Sequence, residues 1–262
     1  MKIAWSLPLI FLLVSSTACA QNFKGEPKQE IVSSAPQKEL KAGETLVYNM
    51  RWMALYVGKI IFKVEGLEDI SGRSCYHITA RAFPNNLFKK LYDVEYTVDS
   101  YIDTRSFDSL RFIRTRRINK EFERVTIDFD RRKNEAVYKI EPDKTSVEAV
   151  APGTQDLLSL FYYFRFRDIQ GKSEYSLDIY YDQKSWPVEI KTGEPYFKGM
   201  GKEGVWPVVK VFLDSNLNKY IFGKRRLIVL ATLDPRRIPL RFELPAVVGS
   251  IAARLQGLPE ED

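Results

Sequence analysis

The stretch YDVEYTVDSYI, residues 92–102, alternates apolar or aromatic side chains with polar or charged ones. A two-residue period is typical of a β-strand that buries one face. The same alternation recurs at 75–81 and 125–130, and further strand-like segments follow at regular intervals: 175–182, 186–192, 205–214, 224–233 and 237–244. This spacing predicts an all-β, mainly antiparallel fold.

The segment PGTQDLLSLFYYFR, residues 152–165, has a different period. Its apolar side chains recur at i, i+3, i+4 and i+7, the period of an α-helix: Leu157, Leu160, Phe161 and Phe164. Thr154 is the predicted N-cap, and Asp156 in the first turn suits the positive end of the helix dipole. We predict one buried amphipathic helix against the concave side of a curved sheet, and a shorter helical turn at 84–91.

The composition excludes several classes of protein. The chain has 262 residues, of which 45% are hydrophobic and 13% aromatic, and its formal net charge is +6. Basic and acidic residues are mixed along the chain, so we predict no nucleic-acid partner. Two cysteines and one histidine are too few ligands for a structural zinc site or a multi-cysteine cluster. We therefore predict no metal and no other cofactor.

The first 20 residues have the three regions of an export signal. A positive start precedes an apolar run at 3–14, and small residues fill 15–20. Two cleavage patterns overlap here. Ala18-Cys19-Ala20 is a signal peptidase site, which would release a soluble periplasmic protein. Residues 16–19 are similar to a bacterial lipobox, with serine in place of the usual leucine, which would attach lipid to Cys19.

Residues 21–43 are polar, without an apolar period, and are predicted to be a flexible tether. A tether is useful when its start is fixed, and this favours lipidation of Cys19 and a membrane anchor. We expect an exported protein in the periplasm or on the periplasmic face of the outer membrane. A single domain at 44–262 would follow the tether.

Four stretches resemble the domain of unknown function 3108 family. They are GETLVYNMRWMALYVGKIIFKVEG at 43–66, LYDVEYTVDSYID at 91–103, TQDLLSLFYYFR at 154–165 and LATLDPRRIPLRFELPAVVGSIAARL at 230–255. The resemblance implies a large antiparallel sheet wound into a curled β-roll or open barrel-like sheet. It also implies an exported bacterial protein, as several members are lipoproteins. The family has no assigned activity, so the resemblance implies no catalytic residues.

Three motifs that look like chemical sites have structural explanations. The sequence GMGKEG at 199–204 has dinucleotide-binding spacing, but a strand-like segment follows it, so we predict a hairpin tip. Cys75 and His77 share a strand face, but no orienting partner for a thiolate dyad is evident. Asp234 is predicted to cap a tight turn, and Arg237 in that turn to pair with a carboxylate inside the roll.

The densest basic segment contains two interleaved aromatic residues, Phe112 and Phe122. Its basic members are Arg111, Arg114, Arg116, Arg117, Lys120 and Arg124. We predict a long solvated hairpin, with an anionic lipid headgroup or glycan phosphate as the alternative partner. Asp128 and Asp130 share an outward face with Arg124, which predicts a charged sheet surface.

These features favour a non-enzymatic envelope module that binds an apolar or amphipathic ligand, or a partner protein. The candidate lining residues are Trp52, Phe161, Tyr162, Trp186 and Trp206. One alternative is an exported hydrolase of envelope polymers, which needs two close carboxylates and a raised pKa on one of them. Another is a structural assembly factor, which predicts an exposed apolar patch. We assign no catalytic residue.

Overall fold

The computed structural model describes residues 39–91, 94–119, 121–142, 144–169, 171–222, 226–245 and 249–259, and within them fifteen strands form one sheet. In chain order the strands are β1 (Thr45–Trp52), β2 (Leu55–Ile70), β3 (Arg73–Pro84), β4 (Val94–Asp103), β5 (Ser109–Ile118), β6 (Glu121–Asp130), β7 (Glu135–Ile140), β8 (Lys144–Ala149), β9 (Glu174–Tyr181), β10 (Lys184–Thr192), β11 (Tyr196–Gly199), β12 (Val205–Ser215), β13 (Arg226–Thr232), β14 (Pro239–Pro245) and β15 (Ser250–Leu255). The α-helices are α1 (Asn86–Leu91), α2 (Leu157–Tyr163) and α3 (Asn216–Phe222).

The paired strands of the sheet run antiparallel. Their order is β8-β7-β6-β5-β4-β3-β2-β1-β15-β14-β13-β12-β10-β9, and β11 pairs with β12 beside this path. A parallel bridge between Gln155 and Ile179 joins the segment after β8 to the edge strand β9. Among the described residues no ladder joins β8 directly to β9, so the sheet is unclosed. The predicted fold class, an open barrel-like antiparallel sheet with one buried helix, is confirmed.

The inner face of the curled sheet holds the core. Aromatic rings from three strands meet a ring of α2 at its centre: Tyr48, Phe62, Phe242 and Phe161. The rings of Phe62 and Phe161 stack with their centroids 4.4 Å apart. Such pairs add to the stabilisation that their burial already provides. A packed cluster of aromatic rings therefore lies in the middle of the curl.

Asp156 is the N-cap of α2, so the prediction of Thr154 was wrong. One carboxylate oxygen of Asp156 accepts the backbone N–H groups of Leu158 and Ser159, each at 2.7 Å. The Ser159 hydroxyl completes a capping box with the Asp156 backbone. The Thr154 hydroxyl instead donates to a carbonyl in its own turn. Threonine and aspartate are both favoured at the N-cap position, so the sequence cannot distinguish them. The path of the backbone before α2 decides which of the two caps the helix.

The same carboxylate fastens α2 to the sheet. The hydroxyls of Ser100 in β4 and Ser109 in β5 donate to the second oxygen of Asp156 at 2.6 and 2.7 Å. Burial raises the pKa of Asp156, while these hydrogen bonds act in the opposite direction. Because every oxygen contact of Asp156 serves the helix or its attachment, we assign this buried carboxylate a structural role.

The helix is buried on more sides than an amphipathic stripe requires. Leu158, Ser159, Leu160 and Tyr162 are buried, although Leu158 and Ser159 lie outside the predicted apolar face. Phe161, which does belong to it, is only half-buried. A helix inside a curled sheet contacts core on several sides, so one apolar face does not describe its surroundings.

The two ends of the curl differ. We call the end where β1, β3 and β5 begin the helix end, because α2 and the 3₁₀ turn Phe164–Phe166 lie across it. Asp156 contacts Ser109 at the start of β5, and Arg165 contacts Glu44 just before β1. We call the opposite end the open end. There α1 follows β3 and α3 follows β12.

Several local predictions agree with these elements. The helical turn predicted at 84–91 corresponds to α1. The GMGKEG segment forms the predicted hairpin tip, since β11 ends at Gly199, a 3₁₀ turn follows and β12 begins at Val205. The helix α3, whose seven residues follow directly on β12, was not predicted. A helix this short has too few turns to show a period.

The predicted export segment at 1–20, Cys19 and most of the predicted tether lie outside the described residues. At the end of that tether, Leu40 is buried, and the Gly43 N–H donates to the Val64 carbonyl at 2.7 Å. The folded part thus includes residues from the predicted tether. Among the described helices, none has the length and apolar character needed to span a membrane.

Candidate functional site

Apolar side chains on the inner face are only half-buried near the open end. Deeper in the curl, Phe62 and Ile127 are almost fully buried. Nearest the open end, a set of mainly apolar side chains keeps part of its surface accessible: Met50, Ile60, Tyr96, Ile140, Tyr181, Trp186 and Leu227. We call this part of the inner face, with its half-buried apolar side chains, the mouth.

One wall of the mouth is polar. Arg114 donates from Nη2 to Glu123 Oε1 at 2.7 Å and from Nη1 to the Tyr181 hydroxyl at 3.2 Å. Arg116 Nη2 lies 3.5 Å from the second oxygen of Glu123. The Arg114 side chain is only 15% exposed, and its Nε has no acceptor among the described residues.

The wall keeps a positive charge. Burial lowers the pKa of Arg114, but Tyr181, Tyr96 and Glu123 together outweigh burial, so its pKa is raised overall. Two guanidinium groups, those of Arg114 and Arg116, face the single carboxylate of Glu123. Guanidinium groups bind carboxylate and phosphate oxygens through charge-assisted hydrogen bonds. The wall therefore suits an anionic group.

Two of the five predicted lining residues lie at the mouth. Trp186 is half-buried, donates from Nε1 to the Tyr181 carbonyl at 3.0 Å and stacks on Tyr220 of α3 with centroids 5.3 Å apart. Lys184 lies over the same indole ring, 4.4 Å from its centroid. Trp52 is the last residue of β1 at this end and is also half-buried.

The other three predicted lining residues lie elsewhere. Phe161 belongs to the central aromatic cluster, and Tyr162 beside it is fully buried. Trp206 is near the start of β12, towards the helix end, with the Arg236 guanidinium 5.7 Å from its ring centroid. The structure thus does not bring the five residues together.

Arg114 was predicted only as a member of the basic segment and Glu123 was not predicted, although the sequence carries a signal that places Arg114 on the inner face. It has the same strand parity as Phe112, so alternation places it on the inner face, where a charged side chain is uncommon. The sequence pattern does not indicate Glu123 as the partner of Arg114, because their contact depends on the register across the β5–β6 turn.

The basic segment forms the predicted hairpin, but its charges do not lie on one solvated face. Arg114 and Arg116 point into the mouth, whereas Arg111 and Arg117 lie on the outer face. The outer pair bonds to carboxylates of neighbouring strands, Asp128 at 2.5 Å and Glu95 at 3.1 Å. The charged outer surface predicted around Asp128 is present, and Lys120 lies outside the described residues.

The outer face also holds Cys75 and His77. His77 lies between two carboxylates, with Nδ1 2.7 Å from Glu68 and Nε2 3.0 Å from Asp99. Cys75 is buried, and its thiol donates to the Glu68 carbonyl at 3.3 Å. Burial raises the pKa of Cys75 to about 11. A neutral, buried thiol is a poor nucleophile, which supports the structural explanation of this pair.

We expect His77 to stabilise the protein more at acidic than at alkaline pH. Its hydrogen bond to Asp99, with help from Glu68, outweighs burial and raises the pKa of His77. The contribution is therefore complete below about pH 6.5 and is lost as the pH rises through the folded-state pKa. Urea unfolding of wild type and His77→Gln should show a larger stability gap at about pH 6 than at about pH 9. An equal gap at both pH values would contradict this assignment.

The turn at Asp234 confirms one prediction and corrects another. Asp234 caps the turn, since its carboxylate accepts the Arg237 N–H at 3.1 Å. Arg237 is fully buried, but its carboxylate partner Asp168, at 3.9 Å, is exposed rather than inside the roll. Arg165 and Glu44, by contrast, form a buried ion pair that was not predicted.

Comparison with known proteins supports this architecture. The sequence model of the DUF3108 family, described as a protein of unknown function, matches residues 47–256. Among solved structures, the chain is similar to a crystal structure described as a beta-barrel-like protein of domain of unknown function DUF1849 from Brucella abortus, with a TM-score of 0.57. The two are 14% identical over 87% of this chain and 100% of that chain, so the likeness concerns the fold alone. Among curated proteins, no match was found.

Proposed function

This chain belongs to the DUF3108 family, and we propose that its mouth binds an anionic amphiphile. The acyl part contacts the half-buried apolar lining, and the headgroup binds the wall formed by Arg114, Arg116 and Glu123. The observation that carries this proposal is Arg114, a mostly buried guanidinium beside an accessible apolar lining. Ligand sites commonly combine apolar surface with a few convergent polar groups.

The geometry of this wall favours binding over hydrolysis. Acid–base hydrolysis of a glycan needs two carboxyl groups with different roles, one of them with a raised pKa. Glu123 instead faces two arginines through its two oxygens. A carboxylate held in this way neutralises and orients the guanidinium groups, which is the task of a binding site.

We also propose that this binding takes place in the bacterial envelope. The export pattern at 1–20 and the lipobox-like residues ending at Cys19 support periplasmic delivery and a lipid anchor. In that compartment an amphiphile is the expected class of ligand. A partner protein that delivers or receives the amphiphile would complete this role.

The proposal is tested with cis-parinaric acid, a fluorescent fatty acid, and its uncharged methyl ester. Titration of the full chain should show saturable binding of the acid. Arg114→Met should weaken binding of the acid by roughly tenfold or more, the worth of one charge-assisted hydrogen bond. Binding of the methyl ester should change little, because the ester has no charge for Arg114 to bind.

Two further variants make this test specific. Arg117→Met removes a guanidinium of the same strand on the outer face and should leave binding of both probes unchanged. Ile60→Gln, in the apolar lining, should weaken the acid and the ester alike. Absence of saturable binding by wild type, or equal losses in Arg114→Met and Arg117→Met, would overturn the proposal. Thermal unfolding of each variant confirms that it is folded.

A further inference from the structure

Large apolar side chains are exposed on one sector of the open end. We define the docking sector as residues 51–59, around the β1–β2 turn, and 81–90, the end of β3 with most of α1. Its exposed apolar members are Met53 (65%), Leu55 (47%), Tyr56 (39%), Phe83 (42%) and Leu87 (59%). The two pieces are joined by Asn85, whose backbone N–H donates to the Val57 carbonyl at 3.0 Å. They therefore form one surface.

The docking sector carries basic residues and no acidic ones: Arg51, Lys59, Arg81, Lys89 and Lys90. The chain has no Asp or Glu in 45–64, in 70–92 or in 244–259. These segments supply β15, β1, most of β2, β3 and α1, which are neighbours in the sheet. Most of the chain mixes the two signs of charge, so this sector is distinct.

The β1–β2 turn exposes an apolar residue in an unfavourable backbone conformation. Trp52 pairs with Leu55, which leaves Met53 and Ala54 as the two turn residues. Met53 has φ 54, a region that glycine and asparagine favour and that costs other residues on the order of 1 kcal/mol. Met53 is 65% exposed, so its side chain lies at the surface of the docking sector.

We propose that the docking sector binds the surface of an anionic lipid bilayer. Its apolar side chains lie on a turn, a strand end and a short helix. A bilayer interface can bury apolar side chains from all three elements at once. The flanking lysines and arginines would bind anionic headgroups, each contributing to attraction near the surface. Lys89 and Lys90 of α1 are both exposed, so their ammonium groups can reach headgroups.

Charge also distinguishes a bilayer from a second copy of the chain. Two copies joined through this sector would bring like charges together, which opposes association. An exposed apolar patch is also the feature predicted for an assembly factor, but the basic residues of the sector and its lack of acidic ones favour an anionic surface. This inference does not depend on ligand binding in the mouth, since Arg114 lies on the inner face and outside the sector.

An environment-sensitive label distinguishes the docking sector from the opposite end. Two variants with one introduced cysteine each, Leu87→Cys and Leu67→Cys, are made in the full-length chain with Cys19→Ser, and each is labelled with the fluorophore NBD. Leu67 serves as the control position because it is 64% exposed and lies near the end of β2 that is far from the docking sector. Cys75 stays unlabelled because it is buried and its pKa is about 11. Both proteins share the same first 66 residues, so any contribution of those residues to vesicle binding is identical.

We expect NBD at position 87 to shift to the blue and brighten with vesicles of equal phosphatidylglycerol and phosphatidylcholine. The response should be weaker with phosphatidylcholine alone, and position 67 should show none. Lys89→Glu with Lys90→Glu should reduce binding by roughly tenfold or more. Arg132→Glu with Lys133→Glu, a matched reversal in the β6–β7 turn at the helix end, should have no such effect.

Three outcomes would overturn the proposal. An equal or larger response at position 67 would show that the sector is not what meets the bilayer. A concentration-dependent response at position 87 without vesicles would identify a second copy as the occupant. No response at position 87 with anionic vesicles would exclude bilayer docking, whatever the result with cis-parinaric acid.

Discussion

Replacing Arg165 with methionine should lower the free energy of unfolding by about 3–5 kcal/mol, because it leaves the buried Glu44 without its charge partner. In the wild type, Arg165 donates from Nη1 and Nη2 to the two Glu44 oxygens at 2.5 and 2.8 Å. Its Nε donates to the Arg236 carbonyl at 2.8 Å. The side chains of Arg165 and Glu44 are 1% and 8% exposed, so water cannot replace these contacts.

A double-mutant cycle separates the ion pair from other losses. Urea unfolding is measured for wild type, Arg165→Met, Glu44→Gln and the double variant. We expect the double variant to lose clearly less stability than the two single losses added together, since it contains no unpaired buried charge. Arg117→Met, which breaks the exposed pair with Glu95, should cost at most about 1 kcal/mol. Additive losses in the cycle would show that Arg165 and Glu44 are not coupled.

Gly58→Ala should lower the free energy of unfolding by about 3 kcal/mol, the combined size of backbone strain and overpacking. Gly58 has φ 151 and lies where β2 passes close to β3. A Cβ at this position would lie 2.3 Å from the Phe83 carbonyl oxygen and 2.9 Å from the Pro84 Cα. Both are backbone atoms, so no side-chain rotation can relieve the overlap.

Gly66→Ala is a matched control in the same strand. Gly66 has φ 150, but nothing lies within 4 Å of the position that the alanine Cβ would occupy. The two substitutions therefore share the backbone strain, and only Gly58→Ala adds the overlap. We expect the unfolding midpoint in urea to fall further for Gly58→Ala than for Gly66→Ala. Equal shifts would mean that the close approach of β2 to β3 relaxes without cost.

The sequence by itself predicted most of the strands and their faces, but it gave no prediction for β7, β8, β11 or β15. A two-residue period states which side chains share a face, so the alternation in 92–102 sufficed to predict β4 and its buried side chains. The segment at 152–165 was likewise recognisable as a helix. The acid-free segments are a property of the sequence too, although their adjacency required the strand order.

Contacts between distant positions were decided only by the tertiary structure. Arg165 and Glu44 are 121 residues apart, and they meet because α2 crosses the helix end to reach the start of β1. Arg114 and Glu123 meet because the β5–β6 register places them side by side. A periodic pattern carries no information on register or on the order of distant strands.

The position of each inward-facing side chain between the open end and the helix end was also decided by the tertiary structure. Phe161, Trp186 and Trp206 look equivalent in the sequence, since each is an aromatic residue in an apolar segment. The fold places Phe161 in the central aromatic cluster, Trp186 at the mouth and Trp206 towards the helix end. Alternation states whether a side chain faces inward, whereas its accessibility to a ligand depends on which end of the sheet is covered. Only the packing of α2 across one end determines that.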